Sequence, residues 1–308
     1  MREKLIVSPS PHIRSEMTTA KIMGHVLIAL CPALIASVII FGIRALILTL
    51  VCVATAVIWE RLCNIIMKRP NSVGDLSAAV TGMILAFNLP VTLPYWMAAI
   101  GTFVAIVVVK QIFGGLGHNF ANPAIVGRIV LMLSFPAAMS NWVIPFYNKA
   151  DVVTSATPLV TGEASYRELF MGTVGGCLGE VSAFALLLGG LYLFAMDIIS
   201  PAAPLAFMGT VAVFSYAVGQ DGLYQVLAGG VVLGAVFMAT DYVTTPITTK
   251  GKIIFGIGCG IITCVIRFWG SFPEGVSFSI LLMNIVTPYI DMFTKKKAVG
   301  GIYEKEAK

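Results

Sequence analysis

Charge is scarce in this chain: Asp, Glu, Lys and Arg make up 11% of its 308 residues, against 58% hydrophobic residues. An ordinary soluble domain carries about 25% charged residues. The composition therefore excludes a water-facing globule, and a mean hydropathy of +0.92 calls for hydrocarbon to cover the surface. Histidine is scarcer still, and His12, His25 and His118 are too scattered for a His-rich metal cluster. The cysteines (Cys31, Cys52, Cys63, Cys177, Cys259 and Cys264) contain no Cys-x-x-Cys pair and lie mostly in apolar runs, which excludes a disulfide framework and offers no evident iron–sulfur site. No metal is expected. Also missing is a Gly-rich phosphate cradle between a strand and a helix, so NAD should not bind here. Basic residues are not interleaved with aromatic ones, and the net charge of +5 therefore does not point to nucleic acid.

What is present is apolar sequence in helix-length runs. A bilayer core takes about 20 helical residues per crossing, and ten segments qualify, near 22–43, 45–67, 76–90, 94–113, 122–136, 179–199, 204–219, 223–240, 251–269 and 276–293. The expected fold is an all-α polytopic membrane protein with about ten transmembrane helices. The first run is too long for a removable signal peptide and lacks a small-residue cleavage site, so residues 1–21 read as a retained cytoplasmic leader. With ten alternating crossings from that start, only Arg44, Lys149, Arg167 and Arg267 of the 20 basic residues fall on the outer half. That bias fixes both termini in the cytoplasm.

The two halves echo one another. Gly114-Gly-Leu-Gly followed by an apolar run to Phe135-Pro136 parallels Gly270-Ser-Phe-Pro-Glu-Gly275 followed by a run to Thr287-Pro288, with Pro90 and Pro246 at matching offsets. Five spans per half would insert in opposite orientations, giving two inverted five-helix repeats over 22–136 and 179–293. Residues 137–178 form the outer connection between them, and 294–308 a basic cytoplasmic tail. The spans at 76–90 and 122–136 are short, and a helix broken within the membrane puts polar backbone at depth, where it must line a cavity or bind something. The connection itself, at roughly 40 residues, far exceeds the usual 12–15 of a structureless loop, and such loops tend to be functional.

Three constellations carry chemistry. In Asp151-Val-Val-Thr154-Ser155-Ala156-Thr157-Pro158, proline biases Thr157 to an extended backbone and small neighbours leave its hydroxyl open to esterification, as covalent flavin attachment requires. Equally, Thr157 could serve as the N-cap of a short helix starting at Pro158. In Phe113-Gly-Gly-Leu-Gly-His-Asn119-Phe-Ala-Asn122-Pro123, two carboxamides sit three residues apart at a helix start. Either they hold an amide-like ligand such as an isoalloxazine, or they only satisfy the bend's backbone. Asp241, in Thr-Asp-Tyr-Val-Thr-Thr-Pro246, has hydroxyl neighbours fit to coordinate a hard cation or relay a proton, or else to cap an interface. Glu60, Arg128, Glu180 and Asp197 also fall in or beside spans.

Together these motifs resemble the D subunit of the Rnf electron-transport complex over nearly the whole chain, with the B subunit of the sodium-pumping NADH:quinone reductase as a related family. The resemblance implies FMN on Thr157 through a phosphoester made by a dedicated flavin transferase. That enzyme's motif reads Asp-x-x-Ser/Thr-Gly-Ala-Thr in those families, and Ser155 stands here at the glycine position. It implies further a second, non-covalent flavin such as riboflavin near Asn119 and Asn122, and an ion path of which Asp241 is the candidate. The implied setting is the prokaryotic inner membrane, with the flavin loop extracytoplasmic. There the chain would meet a flavoprotein subunit on the outer face, iron–sulfur membrane subunits and lipid, in a ferredoxin:NAD oxidoreductase moving Na+ or H+. A redox-free ten-helix transporter or channel is the competing reading.

Overall fold

The fold is that of a computed structural model describing residues 17–146, 154–155, 157–162, 164–180, 182–270 and 274–294, with only the backbone of Thr154, Ser155, Val160 and Thr161. Most of the N-terminal leader, the C-terminal tail after Thr294, Asp151 and Ala156 lie outside the described residues.

Helix dominates because long runs of Leu, Ile, Val and Ala are interrupted only by caps, glycine and proline. The first half contains α1 (Thr19–Phe41), α2 (Ile43–Ile66), α3 (Ser77–Phe87), α4 (Tyr95–Phe103) and α5 (Pro123–Ser134). Thr18 caps α1 by accepting from the Lys21 amide. Gly42, at φ 76°, turns the chain directly into α2, and a residue with a Cβ would be strained there. The long connection contains α6 (Pro136–Met139), α7 (Pro158–Thr161) and α8 (Tyr166–Met171). It also contains an antiparallel ladder of β1 (Trp142–Val143) and β2 (Thr154–Ser155), the one departure from an all-α fold among the described residues. The second half contains α9 (Ala183–Ala195), α10 (Ala202–Ala217), α11 (Gly222–Leu227), α12 (Val231–Leu233), α13 (Thr249–Trp269) and α14 (Val276–Thr294).

Each of the ten apolar segments contains helix. Four helices, α1, α2, α13 and α14, are long and apolar enough to cross a membrane; α3, α5, α9, α10 and the α4 region are shorter apolar helices. At about 1.5 Å per residue, α3 and α5 reach only about 17–18 Å, roughly half of a hydrocarbon core. Two stretches are π-helical: Val104–Gln111, which continues α4, and Gly234–Met238, which continues α12. Such widened turns occur often at functional sites, and both border the cavities described below.

The helices approach closely through small residues, the usual basis of packing in lipid. A Cβ on Gly82 of α3 would stand 2.7 Å from the Cys52 carbonyl oxygen of α2, and one on Gly189 of α9 would collide with that of Ala29 in α1. Helix α1 packs on α9, α10 on α13, and α5 on α14. Polar backbone at depth is satisfied by protein: the amides of Leu178 and Gly179 donate to the carbonyls of Leu89 (3.0 Å) and Phe87 (2.9 Å).

Two of the basic residues counted on the cytoplasmic half lie in the protein interior. Lys110 and Arg128 are 2% and 3% exposed and sit inside the helix bundle in ion pairs. Desolvation makes an unpaired cation untenable there, so both answer to buried carboxylates rather than to topology.

Candidate functional site

Thr157 lies at the N-terminus of α7 with φ −67° and ψ 153°, the extended backbone its following proline demands. It occupies the N-cap position, yet its side chain makes no capping hydrogen bond. The residue is 4% exposed and its Oγ1 is buried without a hydrogen-bond partner among the described residues. A hydroxyl left so costs about 1–3 kcal/mol, which helix capping would have avoided. Thr157 lines a small cleft with Leu169, Gly175, Gly176, Glu180, Gly229 and Glu274. The glycines keep one wall of the cleft down to backbone. An orphaned hydroxyl facing a glycine-walled cleft is a fitting acceptor for a phosphoester.

The same cleft is bounded by a buried charge cluster built from both halves. Asn122 caps α5, accepting from the Ala124 amide at 3.0 Å, and so sets the helix that carries Arg128. Arg128 Nη1 donates to Asn88 Oδ1 (2.7 Å), Glu180 Oε1 (3.1 Å) and Ser277 Oγ (3.0 Å). Its Nη2 donates to Glu274 and, at 3.7 Å, to Cys177 Sγ. One guanidinium thus faces two carboxylates, and Glu180 Oε2 keeps no partner. Nearby, Arg267 spends its fork on Gln225 (carbonyl at 2.6 Å, Oε1 at 3.1 Å) and on the Ala228 carbonyl at 3.0 Å.

Toward the other end of α3 lies a larger cavity, where Ile22, Ser77, Ile84, Lys110, Asn119, Asn122, Leu193, Phe237, Asp241 and Tyr242 are among the lining residues. It brings together the two carboxamides and the aspartate that are separate motifs in the sequence. Asn119 Nδ2 donates to the Ala121 carbonyl (3.0 Å) and Asn122 Nδ2 to that of Met238 (3.3 Å), so backbone of the bend and of the second π-helix uses part of their capacity. Thr244 donates to Asp241 Oδ2 at 2.9 Å. The lining is mostly apolar with a few convergent polar groups, the usual character of a cofactor pocket.

Beside this cavity a second buried pair forms on the first π-helix. Lys110 Nζ donates to Glu60 Oε1 at 2.7 Å and to Ser77 Oγ at 2.5 Å. Gln111 and Ser72 donate to the same carboxylate oxygen at 3.0 and 2.9 Å. Its other oxygen, Glu60 Oε2, is buried and unpartnered.

Of the residues singled out in the sequence, Thr157, Asn119, Asn122 and Asp241 all line cavities, the first apart from the other three. Thr154 and Ser155 pair with Val143 and Trp142 in the ladder that precedes Thr157. Sequence reading flagged Arg128, Glu180 and Glu60 one by one but missed that Glu274, Cys177 and Asn88 converge on Arg128, and that Lys110 answers Glu60. The available signal was an arginine in the apolar run 123–134 and a lysine in 94–113, each needing an acid at the same depth.

The fold and these sites define a helical, membrane-spanning protein with buried charge clusters beside two cavities in which a few polar groups converge. Residues 6–300 match the model of the NQR2, RnfD, RnfE family, and the chain belongs to that family. It is 49% identical to the D subunit of the Na(+)-translocating ferredoxin:NAD(+) oxidoreductase complex of Acetobacterium woodii, covering 99% of this chain and 98% of that protein. It is 42% identical to the proton-translocating counterpart of Clostridium ljungdahlii, covering 96% of each. The D subunit of the ion-translocating oxidoreductase complex of Stutzerimonas stutzeri is 36% identical over 91% of this chain and 92% of its own.

Proposed function

We propose that this chain is the membrane flavoprotein relay of an Rnf-type ferredoxin:NAD oxidoreductase, with FMN carried on Thr157 by a phosphoester and electron flow coupled to Na+ or H+ transport. The observation that carries this reading is the Thr157 hydroxyl, buried and unpartnered in a glycine-walled cleft. FMN, when bound, supplies one-electron exchange. The chain supplies position: Pro158 holds Thr157 extended, and a covalent tether keeps the cofactor at high effective concentration. Both termini would be cytoplasmic and the Thr157 connection outside, in the inner membrane, facing the flavoprotein subunit of the complex, with iron–sulfur subunits alongside.

A second, non-covalent flavin such as riboflavin would be held in the larger cavity, where Asn119 and Asn122 would offer their carboxamides and Ile84, Leu193 and Phe237 an apolar wall.

The test is in-gel flavin fluorescence of the denatured chain, wild type beside Thr157→Ala, each co-produced with a flavin transferase. Fluorescence is expected in the wild type and absent in the variant. A dark wild-type band, with the transferase active on another target, would sink the covalent-flavin reading and return the chain to a redox-free transporter.

A further inference from the structure

The Thr157 cleft holds more acid than its cations balance once a phosphoester is in place. Cys177 Sγ, a Glu180 oxygen and a Glu274 oxygen lie within 4.8 Å of one another. Arg128 donates to both carboxylates, and Arg267, from α13, contributes charge without a hydrogen bond to either. Asn88 and Ser277 complete the shell as neutral groups, and the Cys177 thiol faces the pair from the segment before α9. Two guanidinium groups offset two carboxylates; a phosphodiester on Thr157 adds one further negative charge to a buried site. An electron arriving at a flavin there adds another, in surroundings that solvate charge poorly.

We propose that Glu180 and Glu274 act as a shared proton acceptor beneath Thr157, taking up one proton between them whenever a flavin on Thr157 gains an electron. Glu180 Oε2 is where that proton has room: it is buried, unpartnered, and belongs to a residue that lines the cleft together with Thr157 and Glu274. In the step, a reduced flavin or iron–sulfur centre of a partner loses one electron, the flavin on Thr157 gains it, and one proton passes from water at the cleft mouth to the carboxylate pair. Oxidation returns both. Like-charged carboxylates held together share protons more readily than isolated ones. The pair is thus a positioning group that sets the flavin's potential and its pH dependence. The proposal rests on the Thr157 reading.

The experiment is a mediated redox titration of the full-length flavinylated chain at several pH values, for wild type, Glu180→Gln and Glu274→Gln. In the wild type, electron affinity should fall tenfold per pH unit, about 59 mV for a one-electron couple, and the slope should flatten in either variant. A redox-difference infrared spectrum should show a carboxylic C=O band, shifted in D2O, that Glu180→Gln removes. Equal slopes in all three proteins, with in-gel fluorescence proving the flavin attached, would overturn the proposal alone. So would a potential that follows sodium concentration in place of pH, and so would loss of attached flavin from both variants, which would assign the pair to attachment instead. A wild-type chain without flavin would overturn the Thr157 reading and this proposal with it.

Discussion

Arg128 and Glu274 lie 146 positions apart in the chain, on the two halves of the protein, and meet as a buried ion pair whose guanidinium also holds Glu180. Helices α5 and α14 pack together around this contact, so the pair ties one half to the other at the level of the Thr157 cleft.

Removing the cation should therefore be costly. Arg128→Met leaves two carboxylates facing each other with only Arg267, which bonds to neither, as counter-charge, and losing one partner of a buried pair typically costs about 3–5 kcal/mol. Thermal unfolding of the detergent-solubilised chain should fall accordingly. Adding Glu274→Gln to Arg128→Met should recover part of the loss, since it removes one uncompensated charge. A double variant no more stable than Arg128→Met would show that the arginine's packing, not its charge, is what counts.

Much of this organisation was legible in the sequence. All ten apolar runs contain helix because lipid forces backbone hydrogen bonds to be satisfied locally, and that requirement writes itself into composition. The Gly114–Gly117 bend was equally plain: Gly114, Gly115 and Gly117 take φ values of 129°, 97° and 92°, which residues with a Cβ rarely adopt. The charge clusters were not legible. Arg128 and Lys110 sit inside apolar runs, which says that each needs an acid but not which one, and their partners lie far along the chain. Glu60 and Lys110 are separated by 50 residues, Arg128 and Glu180 by 52. No local pattern reports a contact of that range, nor could one distinguish a capping threonine from one whose hydroxyl is left free.

The pair on the π-helix should behave as a unit. Lys110→Met alone strands the Glu60 carboxylate, and Glu60→Gln alone strands the ammonium, so each should destabilise by a few kcal/mol. The double variant should cost less than the sum, with a coupling of about 0.5–3 kcal/mol in a double-mutant cycle. Additive losses would mean that Ser77, Ser72 and Gln111 satisfy the two charges separately.

The α1–α9 interface depends on a missing side chain. Gly189→Val would drive a Cβ into the Ala29 carbonyl oxygen, and Phe237 stands 3.1 Å away on another side. The helices must separate or shift, at a cost of about 1–3 kcal/mol or more. Reduced yield of monodisperse protein on size exclusion is the expected outcome. Gly209→Ala, where a Cβ meets nothing within 4 Å, is the matched control and should be tolerated.

Asp241 offers the test of ion movement. It lines the larger cavity, next to the π-helix Gly234–Met238, with Thr244 donating to one of its oxygens. An ionisable group in or beside a membrane-spanning run is costly to retain and by default marks an ion or proton path. Asp241→Asn keeps the shape and the Thr244 contact while removing the charge. With covalent flavin content matched to wild type, the assembled complex in proteoliposomes should move its cation at least tenfold more slowly while electron transfer from ferredoxin to NAD continues. If cation uptake keeps pace with electron transfer in the variant, Asp241 lies off the path and serves the cavity wall alone. If electron transfer stops as well, the residue instead supports the cavity's occupant, and released flavin measured after denaturation separates that outcome: a second flavin lost with the aspartate would place Asp241 in its binding site.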